Sequence, residues 1–322
     1  MATRVAVRTV KPSSPTLTHQ IADEAEPRIT RAIRDAFDTA RSLLNLSDLA
    51  RFFADRWAAR ILDHQQWLRV LNPLYENLTA ILFTEVLASA RRHAPTIQKA
   101  DGSAQFAFDL VNPEAVWWAE THAARLVLGV TEETRAAIRA ILVRLYQDPT
   151  MGPDRAAREI RAIIGLTRRQ ALAVDNLRRH LERERNLMQQ ARQAETSLTP
   201  HQQAYWAAQA DKTVTQIDRR VTGYADRLLR QRSQTIARTE SMAASNTGQL
   251  LLWDRAKTVG LVDETVEREW IVAPDIRLCD LCEPMRGVRV PLDQPFTLDD
   301  GQQIMTPPAH PNCRCTTVLR FP

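Results

Sequence analysis

The chain has few glycines and few aromatic residues. Of 322 residues, 9 are Gly and only 6% are Phe, Trp or Tyr. This composition disfavours an all-β fold, which needs many tight turns. Ala, Leu, Arg, Glu and Gln are frequent instead, and these residue types favour helix.

Long apolar runs are also missing. No stretch approaches the roughly 18 to 20 apolar residues that span a bilayer. The first residues, "MATRVAVRTVKPSSPTLTHQ", lack the apolar centre and small-residue cleavage site of a secretory signal. We therefore expect a protein without a membrane partner, located in the cytoplasm where it is made or in a particle assembled there.

Lysine is scarce, so the formal charge of +5 and the pI near 9.3 come almost wholly from arginine. The simplest interpretation is a GC-rich genome. The alternative is that arginine serves to bind phosphate through its forked guanidinium. For a chain of this length the charge is only a weak indicator of nucleic-acid binding.

The pattern of apolar residues divides the chain into three parts. Residues 1–16 are expected to form a flexible arm, residues 17–200 a helical body, and residues 201–322 a domain that begins with a long helix over about 203–258. Within the body we expect helix breaks at Asn72–Pro73 and at Gly129, and a loop over 96–111. The expected N-caps are Ser47, Asn112 and Thr167.

After Gly260 the composition changes to β-branched and aromatic residues, in "TVEREWIVAPD", "RGVRVPLDQPF" and "TTVLRF". The predicted fold class is therefore mainly α, an irregular helical body with a small C-terminal α+β lobe. We call the residues after Gly260 the β lobe.

All 4 cysteines lie in the β lobe, in "CDLC" and "HPNCRC". Close pairs of thiols separated by about thirty residues are typical of a structural zinc site. Disulfides would require an oxidising compartment, for which the sequence gives no indication. Five candidate ligands compete for four positions, and spacing does not choose among them. We call them the Cys/His cluster: Cys279, Cys282, His310, Cys313 and Cys315.

Three motifs in this order resemble the phage head morphogenesis family, the minor head proteins typified by the Mu F protein. They are "IARTESMAASNTG" at 236–248, "WIVAPDIRLCDLCEPMRG" at 270–287 and "PPAHPNCRC" at 307–315. The resemblance implies a minor capsid protein in the capsid interior or at the portal vertex. Its implied partners are the portal protein and other capsid or scaffold proteins, with no small-molecule substrate. Non-specific contact with phage DNA is left open.

The family pattern also falls on residues outside the Cys/His cluster. Arg238 and Glu240 are two apart on a helix, so we do not expect them to pair with each other. Either each fixes that helix to the β lobe, or both lie on a solvated helix surface. Asp275 and Arg277 are expected to shape the loop before the first cysteine. Gly287 is expected to adopt a positive φ. Asn246 and Trp270 complete the pattern.

We expect no enzymatic activity and name no catalytic residue. The motifs of zinc deaminases, zinc proteases and nucleotide-binding loops are absent from the sequence. A metal-dependent nuclease with His310 as base and Asp275 or Glu240 on the ion is one alternative, which plasmid cleavage would reveal. A zinc-ribbon nucleic-acid-binding regulator is another, which specific operator binding would reveal.

Overall fold

The protein is mainly α-helical, as predicted. A computed structural model describes residues 15–55, 63–97, 112–148, 151–193, 199–263, 265–273 and 279–321. None of the helices in these ranges combines the length and apolarity that a membrane crossing requires. The helices are α1 Pro15–Leu43, α2 Leu46–Ala54, α3 His64–His93, α4 Pro113–Gln147, α5 Pro153–Ile163, α6 Arg168–Gln193 and α7 Pro200–Thr258.

Within the described ranges the strands all lie in the β lobe, also as predicted. β1 (Glu267–Ile271) is the centre of an antiparallel sheet, between β2 (Arg289–Pro291) and β5 (Thr316–Arg320). β3 (Phe296–Thr297) pairs with β4 (Gln303–Ile304) in a separate antiparallel hairpin. Short 3₁₀ turns lie at Ala94–Thr96 and Glu283–Met285.

Two predicted helix breaks are wrong. Pro73 lies inside α3 and Gly129 lies inside α4. The flanking apolar residues, Leu71 and Leu74 in α3, are buried and keep helical spacing across the proline. Burial of such a stripe stabilises a helix by more than one proline or glycine destabilises it.

The helix ends agree better with the prediction than the helix breaks do. Asn112 accepts a hydrogen bond from the Ala115 N–H, and Thr167 forms a reciprocal cap with Gln170, as predicted. The cap of α2 is Asn45, whose side chain accepts from Asp48 N–H, and not Ser47. α1 begins at Pro15, inside the predicted arm, whereas residues 1–14 and 98–111 lie outside the described residues. α7 ends at Thr258, as predicted.

The chain divides into two compact units. One comprises Met1–Ile33, Pro73–Arg125 and Ser233–Pro322, and the other comprises Arg34–Asn72 and Leu126–Arg232. We call them the lobe unit and the helical unit. The predicted boundary at residue 200 stays a prediction.

In the lobe unit, α1, α3 and α7 approach closely through small residues. A Cβ on Gly248 of α7 would lie 2.2 Å from the Val86 carbonyl oxygen of α3, so only glycine fits there. Ser89 donates a hydrogen bond of 2.6 Å to the Ser245 carbonyl, and Ser245 donates one of 3.1 Å to the Thr18 carbonyl. These bonds satisfy polar groups that are closed off from water.

The core of the β lobe contains three of the four cysteines. Cys282, Cys313 and Cys315 are buried against Trp270 and Phe296, whose rings meet edge to face with centroids 5.2 Å apart. This core is small, and the three cysteines make up a large part of its buried side chains.

A fully buried arginine joins the β1 strand to the β3–β4 hairpin. Arg268 donates to the carbonyls of Gln294 and Met305, and its guanidinium lies 5.1 Å from the centre of the Phe296 ring. Burial lowers the pKa of Arg268 to about 10, so the side chain keeps its charge near neutral pH.

In the helical unit, ion pairs connect neighbouring helices. Arg178 of α6 contacts Glu159 of α5, Glu182 of its own helix and Asp218 of α7. Arg155 of α5 bonds both oxygens of Glu182. Because Arg178 and Glu159 are buried, loss of one partner would leave the other charge without compensation.

Candidate metal centre

Two tight turns present the members of the Cys/His cluster. In the first, the N–H groups of Cys282 and Glu283 both donate to the Cys279 carbonyl, at 3.0 and 2.9 Å. In the second, the Cys313 N–H donates to the His310 carbonyl at 3.1 Å. Each turn therefore brings two donor side chains, three residues apart, to the same side of the chain.

The second turn depends on Asn312. Its φ is 62°, in the left-handed region that most side chains avoid and asparagine tolerates. This conformation reverses the chain between His310 and Cys313. It explains why the sequence has Asn between Pro311 and the cysteine.

The donor atoms of the cluster lie close together. His310 Nε2 is 3.0 Å from Cys279 Sγ and 3.2 Å from Cys282 Sγ, and Cys282 Sγ is 3.8 Å from Cys313 Sγ. Cys279, Cys282 and His310 form one group within 4.8 Å, and Cys282, Cys313 and Cys315 form another. Cys282 belongs to both groups, so it is the centre of the cluster.

The orientation of His310 suits a metal ligand. Its Nδ1 donates to the Pro311 carbonyl at 2.9 Å, which places the ring proton on that nitrogen. The lone pair of Nε2 then points at the thiols. A backbone carbonyl on the far nitrogen is a common way to fix the tautomer and the plane of a metal-binding histidine.

The thiols are crowded enough to share protons. The hydrogen bond with Cys313 raises the pKa of the Cys282 thiol, and the same contact lowers the pKa of Cys313. A cation that binds such thiols displaces their protons and relieves the crowding. The donor set of four thiols and one imidazole is therefore chemically suited to zinc.

Residues on either side of the last two cysteines contact helices. The Asn312 N–H donates to the Thr239 hydroxyl at 3.0 Å, and the Asn312 side chain donates to the Thr235 hydroxyl at 3.3 Å. His19 Nε2 of α1 donates to the Arg314 carbonyl at 2.8 Å. The segment thus faces α1 and α7 on one side and the cluster on the other.

Asn246 of α7 completes these contacts. Its side-chain N–H donates to the Cys315 carbonyl at 3.2 Å, and its oxygen accepts from the Thr316 hydroxyl at 2.6 Å. The structure therefore gives this family-pattern residue a position directly behind the cluster. Trp270 is buried in the same core.

Two of the predicted supporting residues form contacts different from those expected. Arg238 pairs with Glu26 of α1 at 3.2 Å, and Glu240 bonds His122 of α4. These contacts join helices to one another, not α7 to the β lobe as the sequence led us to expect. Gly287 has the predicted positive φ, 75°. Asp275 and Arg277 lie outside the described residues.

Sequence reasoning missed His19, Thr235 and Thr239. His19 lies 295 residues from its partner Arg314, and no local pattern identifies it. Thr235 directly precedes "IARTE" and Thr239 lies within it, four residues further along one face of α7, but hydroxyl residues on a helix face are common. Only the folded chain distinguishes these residues from others of the same type.

Comparison with known proteins gives a family match on the C-terminal part of the chain. No curated protein and no solved structure significantly matches the chain. Residues 212–318, roughly a third of the chain, match the family described as Phage Mu protein F like protein. This range contains the three motifs and the whole Cys/His cluster. The predicted relationship is therefore confirmed: in this region the chain is related to the Mu F-like head morphogenesis family.

Proposed function

We propose that the protein is a minor component of a phage head, associated with the portal and incorporated during procapsid assembly. The observation that supports this role is the family match over 212–318, which includes both cysteine pairs. The proposed partners are the portal protein and other capsid or scaffold proteins. A role in packaging or ejection of DNA belongs to the same proposal.

The proposed metal is one structural zinc ion. Tetrahedral zinc, at about 2.3 Å from sulfur and 2.0 Å from nitrogen, separates two thiolates by about 3.8 Å and a thiolate from an imidazole nitrogen by about 3.5 Å. The separation of Cys282 and Cys313 equals the first distance, and His310 lies slightly nearer its two thiols than the second. The favoured set is Cys279, Cys282, His310 and Cys313, with Cys315 as a buried neighbour.

The proposed role of the protein is not enzymatic. A catalytic zinc site has three protein ligands and keeps one position open for water or substrate. Here the five donors form two overlapping groups that share Cys282, and three of the thiols are buried. This crowding supports a structural ion that closes the small β lobe.

The metal proposal is tested by zinc analysis and cobalt spectroscopy of reduced protein. We expect about one equivalent of zinc in the wild type and a large loss in Cys282→Ser, since Cys282 belongs to both donor groups. Cys315→Ser is the matched control and should keep both the ion and the thiolate-to-cobalt absorption. Loss of cobalt absorption in Cys315→Ser with retention in His310→Ala would refute the proposed ligand set.

The head-assembly proposal is tested separately, in the phage or prophage that encodes the chain. The polypeptide should be found in purified virions at low copy number. Deletion of its gene should reduce infectivity or produce defective heads, visible by electron microscopy. Normal, infectious virions without the polypeptide would contradict the head-assembly proposal. Such a result would not bear on the metal proposal.

A further inference from the structure

Positive charge is concentrated in the helical unit. Residues 34–72 and 126–232 contain 25 Lys and Arg against 17 Asp and Glu, whereas the rest of the chain has more acidic than basic residues. Several buried and half-buried arginines of this unit have carboxylate partners, as Arg178 does. Most of the described arginines of this unit that form no ion pair are exposed.

Four exposed arginines lie together on α7, and we call them the arginine face: Arg219, Arg220, Arg227 and Arg230. At 100° per residue they fall within an arc of about 100° and extend over roughly 16 Å of helix. None forms an ion pair with another residue that the structure describes. Asp226, at the edge of the arc, is bonded by Arg41 instead, at 3.1 Å.

The centre of the arginine face is Gly223. It lies mid-helix, where glycine is about 1 kcal/mol less favourable than alanine, and a Cβ there would meet no atom within 4 Å. Packing therefore does not require glycine at this position. The absence of a side chain leaves the helix backbone open to close approach between the two pairs of arginines.

The chemistry of this surface fits a phosphate backbone better than a protein. Protein interfaces have an apolar centre, but the exposed residues between these arginines are Thr222 and Gly223. Arg227 also stacks over the half-buried Tyr224 at 5.6 Å. Arginine forks bind phosphates, whose charges repeat at short intervals along a duplex. We infer that the arginine face of α7 binds the phosphate backbone of double-stranded DNA without sequence specificity.

This inference concerns the purified protein and does not depend on the metal centre or on head assembly. The test is anisotropy of a short labelled duplex, titrated between about 50 and 200 mM NaCl. The test variant replaces all four arginines of the face by glutamine. The matched control replaces four other exposed arginines of the helical unit by glutamine, so the net charge changes by the same amount as in the test variant. These residues are Arg139, Arg158, Arg168 and Arg183.

We expect the test variant to bind DNA roughly 100-fold more weakly at the lowest salt, and the slope of log K against log salt to fall by about 3 to 4. The control should change affinity less than about 5-fold. Gly223→Glu, which places a carboxylate in the face without a steric clash, should also weaken binding at least about 10-fold. Circular dichroism checks that each variant keeps its helix content.

Two results would overturn the inference. Equal losses in the test and control variants would mean that binding depends on net charge and not on this face. Displacement of the DNA by poly-glutamate at an equal concentration of charge would mean that the face binds acidic protein rather than phosphate.

Discussion

Replacement of Asn246 by alanine tests whether α7 holds the Cys/His cluster from behind. The Asn246 side chain is fully buried and bonds both the Cys315 carbonyl and the Thr316 hydroxyl. Thr316 is 1% exposed, so water has no access to either partner in the variant. The perturbation thus removes two hydrogen bonds and leaves two buried polar groups unpaired.

The expected cost follows from those two groups. A buried donor or acceptor without a partner costs about 1 to 3 kcal/mol, so Asn246→Ala should lower the free energy of unfolding by about 2 to 6 kcal/mol. Thr316→Val removes one partner and keeps the shape, and should cost about 1 to 3 kcal/mol. Since the two substitutions break one shared bond, the double variant should cost about 1 kcal/mol less than the sum.

The assay is urea unfolding of zinc-saturated protein near neutral pH, followed by tryptophan fluorescence. The m-value should be unchanged in each variant, because the same surface is exposed on unfolding. A loss below about 1 kcal/mol for Asn246→Ala would refute this account, and so would strict additivity with Thr316→Val.

Three further predictions concern packing, protonation and a buried charge. Gly248→Ala should destabilise the protein by about 3 kcal/mol or more, because the new Cβ meets a backbone carbonyl. Gly129→Ala, whose Cβ meets no atom, should stabilise the protein by up to about 1 kcal/mol. Thermal unfolding compares the two variants, and equal effects would contradict the close approach of α7 to α3. Burial lowers the pKa of His93, so as the pH falls the His93 side chain is protonated in the unfolded chain before it is protonated in the folded one, and the free energy of unfolding should decrease below about pH 6.5. Unfolding at several pH values should show a weaker pH dependence of stability in His93→Gln than in the wild type, and an equal pH dependence would contradict this prediction. Arg268→Met removes two charge-assisted hydrogen bonds of a fully buried guanidinium and should cost about 2 to 5 kcal/mol in urea unfolding. Arg289→Met, which breaks an exposed pair, should cost less than about 1 kcal/mol, and similar costs would contradict the assigned role.

The sequence predicted what depends on neighbours along the chain. The extent of α7, the caps at Asn112 and Thr167, and the change to strands after Gly260 all follow from local pattern. The Cys/His cluster was also identified locally, because each half consists of donors only two or three residues apart.

What depends on distant neighbours could not be predicted. α3 continues through Pro73 because the apolar residues on both sides are buried by other parts of the fold. Glu240 finds its partner His122 at a separation of 118 residues, and two side chains so far apart share no sequence pattern. The same limit explains why Arg238 and Glu240 were expected to contact the β lobe and not Glu26 and His122.

The segment from Asn312 to Thr316 alternates in what it contacts: Asn312, Arg314 and Thr316 are bonded to helices, and Cys313 and Cys315 face the cluster. A gene that gained or lost one codon here would exchange the two sides, and the thiols would face α1 and α7. A missense codon at Arg314 would do far less, since its contact is made by the backbone carbonyl. The contacts on the two sides of this segment therefore depend on its length far more than on the identity of its arginine.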